Sequence, residues 1–222
     1  MRPFLIARDG FYRGQSAWRA AQAATYHGLP HVTGLRSTTV YHPHGVRERL
    51  EQALGLAITR WDQDPADENG VFYQGLAQGR AREIPGVHSD FPLTDVTAVV
   101  YLTPDLPVNC GTSLWMHRAT GLTTQPTAAD ARRLGRTVAE LRALLVRDYR
   151  RRERWVEIDR VGYRTNRLVA YPSGLLHSAT HHWGGSLGQG RLYQTFRVGV
   201  AKAANGPARP GVFPRPLSEL PT

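Results

Sequence analysis

The sequence predicts a mainly β protein, a β-sandwich or jelly roll with helices packed on its outside, on three observations. Six short runs, 71–78, 97–102, 112–116, 155–158, 167–171 and 192–200, are rich in β-branched and aromatic residues, the types that fit a pleated, half-buried surface. Glycine and proline separate them, supplying turns. The helical periodicities lie mainly before or between these runs, which suits helices laid over a sheet structure.

In chain order, residues 15–27 are rich in Ala, Gln and Arg with Trp18, Ala21 and Ala24 at helical spacing, and Gly28 stands where a helix would stop. Residues 45–54 carry Val46, Leu50 and Leu54 at i, i+4 and i+8, with Gly55 placed to end a second helix. From 127 to about 150, Leu134, Val138, Leu141, Leu144 and Leu145 trace one apolar stripe, which predicts a single long helix with Thr127 as N-cap and Asp130 three residues on. The stretch 203–222 has five prolines and little apolar content, so a Pro-rich tail is expected to follow a single domain over 1–202, whose β core spans about 70–200. No internal repeat is present.

A chain of 222 residues is long enough for one domain that buries roughly three quarters of its unfolded surface. No apolar run approaches a membrane span. Arg8, Asp9 and Gly10 follow a very short apolar stretch, unlike a secretory signal, and the lone Cys110 cannot form an internal disulfide. These features predict a cytoplasmic protein without membrane association. The formal charge of +10 invites a nucleic-acid reading. Composition weakens it: Lys202 is the only lysine, and the arginines sit in a chain also heavy in Ala, Gly and Pro, as a general residue bias would produce. The densest run, 147–154, ends a predicted helix, where cations suit the macrodipole.

His88 and Asp90 lie two apart in VHSDF, so in an extended segment their side chains leave the same face and can meet one ion. Alone the pair is weak, since polar loops contain such pairs by chance. Downstream, NRLVAYPSGLLHSATHHWGG sets an apolar strand and a Pro-Ser-Gly turn before His177, and Arg191 follows on the next β-like run. Two imidazoles and one carboxylate on one face of an octahedron leave the opposite face open for a bidentate keto acid and O₂, as an iron(II) oxygenase requires. Zinc with three protein ligands and a water is the rival.

VHSDF, AVVYLTP, GTSLWMHRATG, NRLVAYPSGLLHSAT and GRLYQTF, in that order, give the chain its resemblance to the iron(II)/2-oxoglutarate oxygenase superfamily. The likeness is to its prolyl-hydroxylase-like branch and a related bacterial family of putative oxygenases, and it covers most of the chain. It implies a double-stranded β-helix (jelly-roll) core with flanking α-helices, and Fe(II) held by His88, Asp90 and His177, the residues on which catalysis would depend. It further implies that 2-oxoglutarate and O₂ are cosubstrates and that Arg191 pairs with the far carboxylate of 2-oxoglutarate, a planar fork suiting a carboxylate. Tyr101 matches a tyrosine that often hydrogen-bonds the same cosubstrate. Arg197 is the rival clamp, because it keeps the strand parity of Arg191. Many relatives carry Ser or Thr two residues beyond the arginine, where this chain has Tyr193.

Trp115 and His117 alternate with Leu114 and Met116, so one pair faces the core; Trp115 and His117 are candidates for lining a substrate pocket. His181 and His182, in a Gly-rich loop past His177, are candidates for facing substrate. An intact Asp90 argues against halogenation, in which related enzymes vacate that position for chloride. Hydroxylation is therefore expected, or another oxidation such as desaturation or ring formation. The expected substrate is an amino acid, peptide or natural-product intermediate, anionic or carrier-bound in view of the basic surface.

Two other classes compete. Gly184-Gly185-Ser186-Leu187-Gly188 satisfies the Gly-x-Ser-x-Gly pattern, but a nucleophile elbow needs a strand before the serine and a helix after it. Ser186 sits instead among loop residues. A basic β-sandwich binding nucleic acid or an acidic partner would show aromatics interleaved with cations on one strand; Tyr193, Phe196 and Arg197 come nearest.

Overall fold

The structure is a computed structural model that describes residues 4–28, 34–78, 82, 85–90, 94–186 and 188–201; the expected tail over 203–222 lies outside them. Along the chain run β1 (Ile6–Asp9), α1 (Ser16–Ala23), β2 (Tyr26–Gly28), β3 (Leu35–Val40), α2 (Val46–Leu54), β4 (Ile58–Arg60), β5 (Val71–Gly75) and β6 (Val96–Tyr101). Then follow β7 (Thr112–His117), α3 (Ala128–Leu134), α4 (Val138–Asp148), β8 (Trp155–Val161), β9 (Arg167–Pro172), β10 (His177–Ala179) and β11 (Arg191–Val200). The protein is mainly β, with two antiparallel sheets. An eight-stranded sheet runs β1-β9-β6-β11-β5-β3-β2 with β4 also on β11, and a three-stranded sheet runs β10-β7-β8. No helix among the described residues is long and apolar enough to cross a membrane.

Strand alternation sorts the side chains into three cores. On the outer face of the large sheet, Val96, Ala98 and Val100 of β6, Leu168 and Ala170 of β9, and Leu192, Phe196 and Val198 of β11 pack with Ala17 and Ala21 of α1 and Val46, Leu50 and Leu54 of α2. On its inner face, Val99, Tyr101, Val169 and Tyr171 meet Leu114 of β7 and Val161 of β8. Behind the small sheet, Trp115 and Trp155 pack with Leu141 and Leu145 of α4. Each fully buried aliphatic or aromatic side chain contributes about 1.5–3 kcal/mol by transfer alone, so all three layers are needed to hold both sheets in place.

The helix expected over 127–150 is two helices. Gly135 adopts φ 61° and ends α3, and Thr137 begins α4 with a second capping box, accepting from the Glu140 N–H while Glu140 accepts from the Thr137 N–H. The continuous apolar stripe hid this break, because two helices packed on the same sheet keep one buried side. The cap at Thr127 with Asp130 forms as expected, and so does the Gly55 stop of α2, which donates to the Glu51 carbonyl. The first helix ends at Ala23, short of the expected 27, because Tyr26–Gly28 is captured as β2 by pairing with β3.

Candidate metal centre

The two histidines meet through the backbone. His88 and His177 face each other as an antiparallel pair and exchange both hydrogen bonds, His88 N–H to the His177 carbonyl at 2.9 Å and His177 N–H to the His88 carbonyl at 2.8 Å. Directly opposed residues project their side chains to the same face, and Asp90, two residues on, shares it. The Asp90 N–H is fixed on the Ser173 carbonyl at 2.8 Å. His88, Asp90 and His177 each offer a ligand atom, all within 4.8 Å of one another, a group able to hold a metal ion.

Partners orient each ligand. His88 Nδ1 lies 3.0 Å from the Gly86 carbonyl and His177 Nδ1 2.9 Å from the Leu175 carbonyl. Each Nδ1 therefore carries the proton and turns a lone pair on Nε2 toward Asp90, at 3.7 and 3.5 Å, the usual arrangement of metal-binding imidazoles. Asp90 accepts from the Thr97 hydroxyl at 2.8 Å and from Arg197 Nη2 at 2.9 Å. Burial alone would push the Asp90 carboxyl up, but Arg197, His177, His88 and Thr97 outweigh it and hold it at about 2. Burial pushes the His177 imidazole down to about 4, against the pull of Asp90. At neutral pH the site thus presents an ionised carboxylate and a neutral buried imidazole, the forms that bind a cation.

Sign and window of a pH effect follow. In the metal-free protein, unfolded His177 takes up a proton near 6.5 and folded His177 only near 4, so folding free energy is lost as pH falls between those values, by about 3 kcal/mol. Asp90 adds a second loss as pH falls from 3.8 toward 2. Denaturant titrations of the metal-free protein across this range test it, and His177→Gln should remove the first stage and shrink the second, because His177 helps hold Asp90 down. Thr97→Val keeps shape but strips a hydrogen bond from Asp90, and should weaken metal binding about 10–100-fold, read by equilibrium dialysis; an unchanged affinity would detach Thr97 from the site.

The three ligands open into a cavity of about 500 Å³, walled by inner-face residues of β3, β5, β6, β9 and β11 and at the mouth by Val146 and Tyr149. Tyr149 closes against Gly86, where any Cβ would strike its ring. Arg191 and Arg197 both line this cavity from β11. Arg191 is 2 % exposed; its Nε donates to the Cys110 carbonyl at 2.6 Å, and its guanidinium lies over the rings of Tyr193 and Tyr101. Tyr101 does not line the cavity: it donates to the Thr112 hydroxyl at 2.7 Å beneath Arg191. Arg197 is engaged by Asp90 and by the buried Glu68.

Three expected pocket residues fall elsewhere. Trp115 and His117 face away from the cavity, into the helical layer behind the small sheet. There Trp115 donates to the Ser178 hydroxyl at 3.0 Å, and His117, fully buried, sits between Thr120 at 2.9 Å and Asp148 at 3.1 Å. The alternation was right and the assigned face was wrong, because Leu114 takes the inner side. His182 is buried against Gly75, outside the cavity lining, while His181 is exposed. The sequence reading missed Arg36, Glu68, Tyr73 and Thr97; they sit at no motif, and only strand pairing brings them to the site. Glu68 carries a positive φ of 56° and receives both Arg36 and Arg197.

No helix follows Ser186 among the described residues, which pass through turns into β11, so there is no elbow. Tyr193 and Arg197 face inward and Phe196 is buried in the opposite core, so β11 presents no aromatic-cation surface to a nucleic acid.

In comparisons with known proteins, no curated protein and no solved structure matches the chain. One family model, described as a family of unknown function, DUF6445, matches residues 80–193. That span is just over half the chain and takes in His88, Asp90, His177 and Arg191. The chain belongs to this family, DUF6445.

Proposed function

We propose that the protein is a mononuclear non-haem iron(II) oxygenase that uses 2-oxoglutarate and O₂, hydroxylating an unactivated C–H bond of an amino acid, peptide or natural-product intermediate. The observation that carries the reading is the convergence of His88, Asp90 and His177 on one wall of a cavity that Arg191 also lines. Two imidazoles and a carboxylate leave further coordination positions for a keto acid and O₂. The same proposal includes a double-stranded β-helix core. Supporting it, the chain from β5 onward shuttles between sheets: β5, β6, β9 and β11 in the large one, and the His88 segment, β7, β8 and β10 in the small one.

Bound there, iron(II) with 2-oxoglutarate as the electron donor would activate O₂, which supplies the oxidising power for attack on a C–H bond. The chain's own residues do the rest. His88, Asp90 and His177 hold the ion; Thr97 and Arg197 keep Asp90 ionised and aimed. Arg197 is committed to two carboxylates, and Arg191, held by the Cys110 and Gly111 carbonyls and by the rings of Tyr193 and Tyr101, is assigned as the clamp for the far carboxylate of the cosubstrate. A zinc site can use the same ligands.

The test is anaerobic. Iron(II)-loaded protein should gain a weak visible charge-transfer band on adding 2-oxoglutarate, and Arg191→Gln should raise the concentration needed about 10–100-fold, the value of a charge-assisted hydrogen bond or two. Bound iron with no band would remove the cosubstrate assignment.

A further inference from the structure

Beside the ion site, one wall of the cavity holds hydrogen-bond donors without acceptors. Arg36 on β3 and Tyr73 on β5 are register partners, and both line the cavity. Tyr73 is 6 % exposed, yet among the described residues its hydroxyl finds no acceptor for its proton, nor do Arg36 Nε and Arg197 Nε. A buried donor without an acceptor is costly, so three on one wall mark a place for a ligand that accepts hydrogen bonds. The donors are held in place: Arg36 lies 4.9 Å over the Tyr73 ring, Tyr73 stacks on Tyr193 at 5.3 Å, and Glu68 ties Arg36 to Arg197.

Charge names the acceptor. Among the described residues, Arg36, Arg191 and Arg197 line the cavity and Asp90 is the one carboxylate that does so, with Glu68 behind it. Three guanidinium charges and two from a divalent ion, against two carboxylates, leave three in excess. A doubly charged 2-oxoglutarate at Arg191 matches two of them. One more negative charge on the Arg36–Tyr73 side would balance the site.

We infer that Arg36 and Tyr73 form a carboxylate subsite for the substrate oxidised, which is therefore an organic acid bound through its free carboxylate next to the metal. This rests on the oxygenase reading for its role, though the subsite can be detected without it. A neutral amide or ester in place of the carboxylate would leave a guanidinium uncompensated, and loses most of the binding.

The experiment uses full-length protein loaded with Mn(II) and 2-oxoglutarate, titrated calorimetrically with free L-amino acids and short monocarboxylates, each paired with its own primary amide. At least one acid should bind tenfold or more tighter than its amide. Tyr73→Phe and Arg36→Gln should each erase that preference while leaving the 2-oxoglutarate midpoint of the anaerobic iron band within about twofold. Tyr73→Phe removes one oxygen and carries the test if Arg36→Gln does not fold. Equal binding of acids and amides, no binding by any acid, or a preference that survives both substitutions would overturn the inference. A shift of the 2-oxoglutarate midpoint would assign these donors to the cosubstrate and overturn it as well. Absence of the band in the unaltered protein is the separate failure of the oxygenase reading; an acid preference on the Mn(II) protein alone would then still establish the subsite, and its absence would remove it.

Discussion

Asp90→Ala and His177→Ala should each reduce divalent-metal affinity at least about 100-fold, more than loss of an outer partner costs, and abolish succinate release from 2-oxoglutarate. The two substitutions fail differently. Removing Asp90 takes away the one negative ligand and leaves Arg197 facing two imidazoles, so a cation is repelled as well as deprived of a ligand. Arg197 keeps its pairing to Glu68, which is why the chain should still fold. Removing His177 leaves the charge of the site intact but withdraws the imidazole that the β10 backbone holds opposite His88. Asp90→Asn separates the two effects, since it keeps a short polar side chain without the charge. Equilibrium dialysis with Mn(II) reads all three against circular dichroism as a fold control. Wild-type metal affinity in Asp90→Ala and His177→Ala would dismiss this cluster as the metal centre.

Asp148→Ala should destabilise the protein by about 1–3 kcal/mol, the cost of leaving the buried His117 without its hydrogen-bond partner, with metal affinity unchanged. The Asp148 side chain is 1 % exposed and accepts from His117 and, through both oxygens, from Arg147 at 2.9 and 3.0 Å. Hydrogen bonds from Arg147 and His117 hold its carboxyl at about 2 despite burial. Arg147 is half exposed and can turn to water. His117 cannot: it is fully buried, and Nε2 would lose its partner beneath the edge of Trp155. Urea denaturation should show a lower midpoint at an unchanged slope. A change in metal affinity, or a loss below about 1 kcal/mol, would contradict the placement of His117 in the helical layer.

Much of the β framework was legible in order: the six runs became β5, β6, β7, β8, β9 and β11, with ends shifted by a few residues. Most of the missed strands are short; Leu35–Val40 is the exception, six residues long between β5 and β2, and its LRSTTV carries aliphatic side chains only at its two ends. Ile6–Asp9, Tyr26–Gly28 and Ile58–Arg60 have three or four residues each, too few for a period-two pattern to rise above chance, and they are strands because a longer neighbour pairs with them. The break at Gly135 was readable, since Thr137-x-x-Glu140 is itself a capping signature, but the apolar stripe spoke louder.

By itself the sequence determined which residues can bind a cation, because ligand chemistry belongs to side-chain type and the two-residue spacing of His88 and Asp90 already places them on one side of an extended segment. It also determined that Arg191 and Arg197 share a strand face. Tertiary structure alone decided that His177 stands opposite His88, that Leu114 and not Trp115 takes the inner side of β7, and that Arg36, Glu68 and Tyr73 join the site. The physical reason is that alternation divides a strand into two faces without saying which is inward, whereas the pairing of distant strands and the layers packed on either side fix that choice.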